Sequence, residues 1–278
     1  VRRSTAAGVV AEALRVRTRL GFGLDVPVCP FDVASRVGLQ IRYMSVPSLE
    51  GMYSPGPPAL IIIGTERPPG RRNFTAAHEI GHHVFGHGDR IDEENDDPDG
   101  RAEEEVVADR FAGALLMPKL CVNRSFGVRQ VRPASASAAQ VYLVSKELGV
   151  GYTTLIGQLQ TVLRLIPGSR ATALSRVRPA TIREELAGRV VRGDLVIVDR
   201  WWRRATVDLE VGDTVMLPDG GTASGVCLSL QGSSLEAVRA GEGSLVVPGS
   251  PTPVGVRVAR RRFEGLHRWR FLEDPDDV

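Results

Sequence analysis

Four of the five histidines in this 278-residue chain, His78, His82, His83 and His87, fall within the single segment NFTAAHEIGHHVFGH, residues 73–87. Composition alone does not produce such a cluster of a scarce, metal-competent residue type. The apolar residues between the histidines recur with a helical period, so the segment reads as a helix over 72–86, with Asn73 or Thr75 as its cap. On such a helix His78 and His82, four apart, project from one face one turn apart and can share one ion. Glu79 stands between them where a general base is needed, completing an HExxH pattern. Two imidazoles suit zinc and do not suit calcium or magnesium.

Two ligands leave a catalytic metal site incomplete; a third protein ligand is needed, with one position left open. The chain offers an acidic helix, EEEVVADRFAGALLMP, residues 103–118. Its apolar side carries Ala108, Phe111, Ala112, Leu115 and Leu116. Glu105 precedes Ala108 by three and Asp109 by four, so it adjoins that face, whereas Glu103 and Glu104 turn away. Glu105 is the expected third ligand. Asp109, one turn on, is placed to accept the outer N–H of a ligand histidine and fix its tautomer. Small residues at 108 and 112–114 let this helix approach the first closely. His83 and His87 lie on a face rotated about 100° from the ligand pair. They are expected in solvent-facing or capping positions near the helix C-terminus.

The remaining composition excludes several classes. Apolar residues make up 42% and charged residues 24%, which is a globular balance. No apolar run approaches the 18–20 residues that span a bilayer. The three cysteines are far apart and odd in number, which fits a reducing cytoplasm rather than a disulfide framework. A net charge of +2 argues against a dedicated nucleic-acid binder. The acidic run from Asp89 to Glu105 reads as a solvated loop and face, with docking of a basic partner as the alternative. Arg260, Arg261, Arg262, His267, Arg268, Trp269 and Arg270 read as a solvated strand edge, with contact to phosphate or an acidic partner as the alternative.

Along the chain, helices are expected at 5–20 and 31–37, and strands at 39–44, 51–53 and 59–63. The two catalytic-pattern helices follow, then a helix pair at 141–148 and 152–163. After about residue 175 short β-branched runs separated by Gly and Pro turns take over. The expectation is an α+β chain with two domains: residues 1–170 around the histidine helix, and a β-rich domain at 171–278. Trp201 and Trp202, if on a strand, point to opposite sides, one into the core.

These residues resemble the ImmA/IrrE family of zinc-dependent metallopeptidases over about residues 8–168. The shared pattern is Arg72, Phe74, Thr75, His78, Glu79, His82, then Glu105, Ala108, Asp109, Phe111, Ala112, Leu115, Leu116, Met117, Pro118. The resemblance implies a minimal gluzincin-like fold with a small β-sheet packed on helices. It implies one zinc ion held by His78, His82 and Glu105, with Glu79 as the base for attack by a zinc-activated water. It also implies cleavage of a partner helix-turn-helix repressor in a transcriptional or stress response. Most zincins add a Tyr or His donor to the oxyanion, and Tyr53, on a strand expected near the site, is the candidate. The competing functions are an antitoxin-like or repressor partner bound without cleavage, and direct DNA binding.

Overall fold

The computed structural model describes residues 5–93 and 102–273. Most of the acidic run after β4 therefore lies outside the described residues. The chain divides into two compact units, one of Val1–Arg124, Leu148–Gly151 and Glu264–His267, the other of Ser125–Glu147, Tyr152–Phe263 and Arg268–Val278.

In the first unit α1 (Ala6–Arg19) starts at Thr5, whose hydroxyl accepts from Gly8 N at 3.2 Å. Its inner face buries Val9, Ala13, Val16 and also Arg17. The Arg17 guanidinium donates to Leu115 O at 2.6 Å, to Gly23 O at 2.5 Å and to Val26 O. A buried charge is tolerated there because three carbonyls satisfy it, one of them in the last turn of a helix, where cations are favoured. Burial still pulls its pKa down, opposed by Cys121. Helix α2 (Pro30–Arg36) begins with proline, whose fixed φ suits the first turn.

Strands β1 (Gln40–Met44), β2 (Leu49–Ser54) and β3 (Leu60–Gly64) follow, then helix α3 (Pro69–Phe85), strand β4 (Arg90–Glu93) and helix α4 (Glu103–Leu116). β1 and β3 run parallel, while β2 pairs antiparallel with β3 and with β4. Ile61 and Ile63 of β3 are fully buried. Residues 90–93, expected in a loop, are thus a strand: β2 offers an edge, and β4 pairs with it through Met52↔Ile91 and Tyr53↔Arg90.

Helix α3 starts three residues earlier than the apolar period suggests. Pro68 and Pro69 open it, and Asn73 caps nothing; its Nδ2 donates instead to Gly149 O at 2.7 Å. The helix ends in a left-handed Gly86, with Gly86 N donating to His83 O and His87 N to His82 O. These are the two bonds of a Schellman turn, which glycine favours because it needs φ near +67°. Helix α3 meets α4 at close range. A Cβ on Gly81 would stand 3.1 Å from Ala108 Cα and 3.2 Å from the Phe111 ring.

Helix α5 (Lys119–Gly127) begins in the first unit and ends in the second, which also holds α6 (Ala138–Leu148) up to Glu147, α7 (Tyr152–Gly157), α8 (Gly168–Ser175) and α9 (Pro179–Ala187). The helix expected over 152–163 is regular only to Gly157, and Gln158–Val162 relaxes into a π-helical turn. Strands β5 (Leu195–Ile197), β6 (Thr206–Glu210), β7 (Thr214–Met216), β8 (Thr222–Ser224), β9 (Leu228–Gln231), β10 (Ser234–Ala237), β11 (Gly241–Val246) and β12 (Val254–Ala259) form two four-stranded sheets, β5-β7-β10-β9 and β6-β12-β11-β8. Their core includes Val198, Val215, Leu245, Val258 and Trp202. Trp201 and Trp202 occupy a turn rather than a strand; Trp202 is buried and Trp201 exposed.

Two polar knots order this unit. Arg129 reaches Glu147 at 2.6 Å and Asp199 at 2.7 and 2.8 Å. Lys146 and Tyr142 of α6 converge on Asp194, just before β5. Last comes β13 (Gly265–Leu266), which returns to the first unit and pairs with β1, giving the sheet order β13-β1-β3-β2-β4. There His267, expected on a solvated edge, stacks on Phe31 at 4.6 Å. Arg270 is buried on Glu210. Among the described residues no helix is long and apolar enough to cross a membrane.

Candidate metal centre

Helix α3 brings His78 and His82 to one side, and α4 brings Glu105 opposite them. The two Nε2 atoms stand 2.9 Å apart. The Glu105 carboxylate lies 3.1 Å from His78 Nε2 and 3.5 Å from His82 Nε2. Among the described residues this trio forms the group able to hold a metal ion, with ligand atoms within 4.8 Å of one another. Donors around tetrahedral zinc, with bonds near 2.0–2.1 Å, sit about 3.3 Å apart. The observed spacings lie within a few tenths of an ångström of that. Two imidazoles and one carboxylate are also the donor set zinc accepts, so the residues fit the ion.

The electrostatics point the same way. Hydrogen bonds from His78 and then His82 hold the Glu105 carboxyl well below the usual carboxylate range, against the opposing effect of burial. The anionic form needed for a ligand is therefore the favoured one. Asp109 Oδ1 lies 2.9 Å from His78 Nδ1, on the far side of that ring from the ligand cluster.

Glu79, next to His78, is fully buried. Its side chain lies over the backbone of β2, where a Cβ on Gly51 would come within 2.3 Å of Glu79 Oε1 and 2.5 Å of Thr75 Cγ2. Gly51 therefore shapes the seat of this carboxylate. Tyr53, two residues on, is buried, and its hydroxyl stands 3.0 Å from His83 Nδ1. Burial, with Asp89 adding to it, pushes the Tyr53 phenol up, and burial pushes His83 down.

His87 departs from expectation. It is neither solvent-facing nor a cap but buried, with Nδ1 2.9 Å from His82 Nδ1. Helical extrapolation failed there because Gly86 turns the chain back. The signal that could have found it is the glycine immediately before it, read as a left-handed helix stop.

An HExxH helix facing a glutamate helix across a shared metal-capable centre defines a class of chain, and the comparisons give that class a family. Residues 26–148 match Peptidase_M78, the IrrE N-terminal-like domain. That segment contains α3, α4 and all six site residues expected from the sequence, and it is an IrrE N-terminal-like domain as the resemblance implied. No curated protein matches the chain. A solved structure described as a Mycobacterium tuberculosis transcriptional regulator is similar over 59% of this chain, at 18% identity and a TM-score of 0.37. The chain spans 49% of that structure's length.

Proposed function

We propose that the chain is a zinc-dependent regulatory endopeptidase of gluzincin-like design. It would act in the cytoplasm on a helix-turn-helix repressor or antitoxin-like partner. The observation that carries this is the convergence of His78, His82 and Glu105 within 4.8 Å, with Glu79 adjoining on the same helix. The match of residues 26–148 to a peptidase family supports it.

Bound zinc would polarise the scissile carbonyl and acidify an attacking water. The protein's own share is then positional. His78 and His82 are held one turn apart by α3, and α4 presents Glu105 as the anion. Asp109 accepts from the outer nitrogen of His78 and keeps its Nε2 free for the ligand role. Glu79, packed against Gly51, takes the proton from the attacking water and returns it to the leaving amine. Tyr53 is the proposed donor to the oxyanion. Its hydroxyl meets His83, so that role requires the hydroxyl to leave this partner when substrate binds. Residues 171–278 are proposed as the part that recognises the partner.

The test is incubation of the full chain with helix-turn-helix regulators from the same genome, with zinc and after chelation, beside Glu79→Gln. Zinc-dependent cleavage of one regulator is expected, abolished in Glu79→Gln while the variant retains zinc. Binding without cleavage by both proteins would replace this reading with that of a non-cleaving regulator.

A further inference from the structure

We infer that His87 is the positioning residue for the ligand His82, acting as a neutral acceptor that locks the tautomer and ring plane of His82. The inference rests on the reading that His82 binds the metal, and it concerns only how that ligand is held.

The ring of His82 has two ends with different surroundings. Its Nε2 faces the donor cluster, 2.9 Å from His78 Nε2 and 3.5 Å from Glu105. Its Nδ1 faces away, 2.9 Å from His87 Nδ1. At that separation one hydrogen lies between the two Nδ1 atoms; two hydrogens would collide and none would leave two lone pairs opposed. A neutral His82 that offers Nε2 to an ion carries its proton on Nδ1. His87 Nδ1 must then accept, and the His87 proton sits on its Nε2. The ring centroids are 4.9 Å apart and inclined by 67°, an edge-on approach suited to such a bond.

The backbone explains why His87 can do this. Gly86 reverses the helix, and His87 N donates to His82 O at 3.0 Å, so residue 87 is fixed beneath residue 82 by the turn itself. The Phe85 ring flanks His87 at 6.0 Å and is braced at 6.0 Å by Phe111 of α4. His82 is fully buried and His87 nearly so, leaving little water to substitute for the acceptor. The two ligand imidazoles are thus supported unequally: His78 by the Asp109 carboxylate, His82 by an imidazole.

Two variants separate this role from simple packing. His87→Leu fills the space but cannot accept. His87→Asn places Oδ1 near the position of the lost Nδ1 and can. Zinc affinity of the full chain, measured by chelator competition, is expected to fall about 10–100-fold in His87→Leu and to stay within about threefold of the parent in His87→Asn. Long-range nitrogen–proton NMR on the zinc-loaded protein reads the tautomer of His87 directly. It should show His87 protonated on Nε2, with Nδ1 unprotonated, in the parent. Should His87→Leu fail to fold, the parent tautomer and the Asn variant still decide. A parent with His87 protonated on Nδ1, or an Asn variant as weak as the Leu variant, overturns the inference. If the parent binds zinc and His87→Leu binds it equally well, this inference alone fails. A parent that takes up no zinc removes the peptidase reading as well.

Discussion

Adding one methyl group at Gly51 tests whether β2 sets the position of Glu79. The new Cβ would lie 2.3 Å from Glu79 Oε1 and 2.5 Å from Thr75 Cγ2. Carbon–oxygen contacts relax to about 3.3 Å, so the carboxylate must retreat by about 1 Å. Glu79 has no exposed surface into which it can swing. Overpacking of this kind costs about 1–3 kcal/mol. It is steric in origin, because Gly51 is not among the residues with positive φ. Denaturant titration of Gly51→Ala should show that loss. Glu79→Ala in the same background should recover part of it, with a coupling of about 1 kcal/mol. Recovery is partial because the Thr75 methyl remains in the way. Metal content should be unchanged, since His78, His82 and Glu105 come from α3 and α4 and not from β2. On the proposed mechanism, displacing Glu79 by about 1 Å should lower peptide hydrolysis roughly 100-fold. An alanine variant as stable as its parent, with no coupling to residue 79 and an unchanged rate, would refute the reasoning.

Two further outcomes concern the second unit. Arg129→Met leaves Glu147, which has no exposed side-chain surface, without its cation; unfolding free energy should fall by about 3–5 kcal/mol, with Arg129→Met/Glu147→Leu recovering most of it in the same titration. Burial and then Asp194 push the Asp213 carboxyl up from 3.8 to about 7. The folded state therefore holds this proton more tightly, and its stabilising contribution, full below about pH 4, fades as pH rises through 7, by something on the order of 4 kcal/mol. Stability measured between pH 4 and 8 should decline less in Asp213→Asn than in the parent; equal slopes would show that Asp213 does not carry the effect.

The site was more legible than its supports. His78, Glu79 and His82 follow from spacing on one helix, and Glu105 and Asp109 from the apolar period of the next. Both inferences use only local geometry, and that geometry survives folding. The start of α3 is hidden from the pattern because Pro68, Pro69 and Gly70 resemble a chain break, although proline in the first turn also begins helices. Likewise α8 and α9, which follow Pro167 and begin with Pro179, are helices that the sequence pattern does not announce. What the one-dimensional pattern lacks is tertiary demand. Arg17 looks like an interruption of an apolar helix face, yet two carbonyls from the segment just after α1 and one from α4 make it a core residue. Gly51 carries no chemical signal of its own; its importance comes from the Glu79 side chain packed over it.

Strand β13 has a consequence for synthesis on the ribosome. The hydroxyl of Tyr43 in β1 meets His267, a partner 224 positions later in the chain. At elongation rates of about 5–20 residues per second, roughly 10–45 s separate their appearance. Throughout that interval the outer edge of β1 stands without its neighbour, with Phe31 and Tyr43 lacking the imidazole that later covers them. An unpaired edge next to aromatic surface is a template for wrong strand pairing. The nascent chain therefore carries the two helices of the candidate metal centre well before their sheet is closed, and chaperone capture should concentrate in that window.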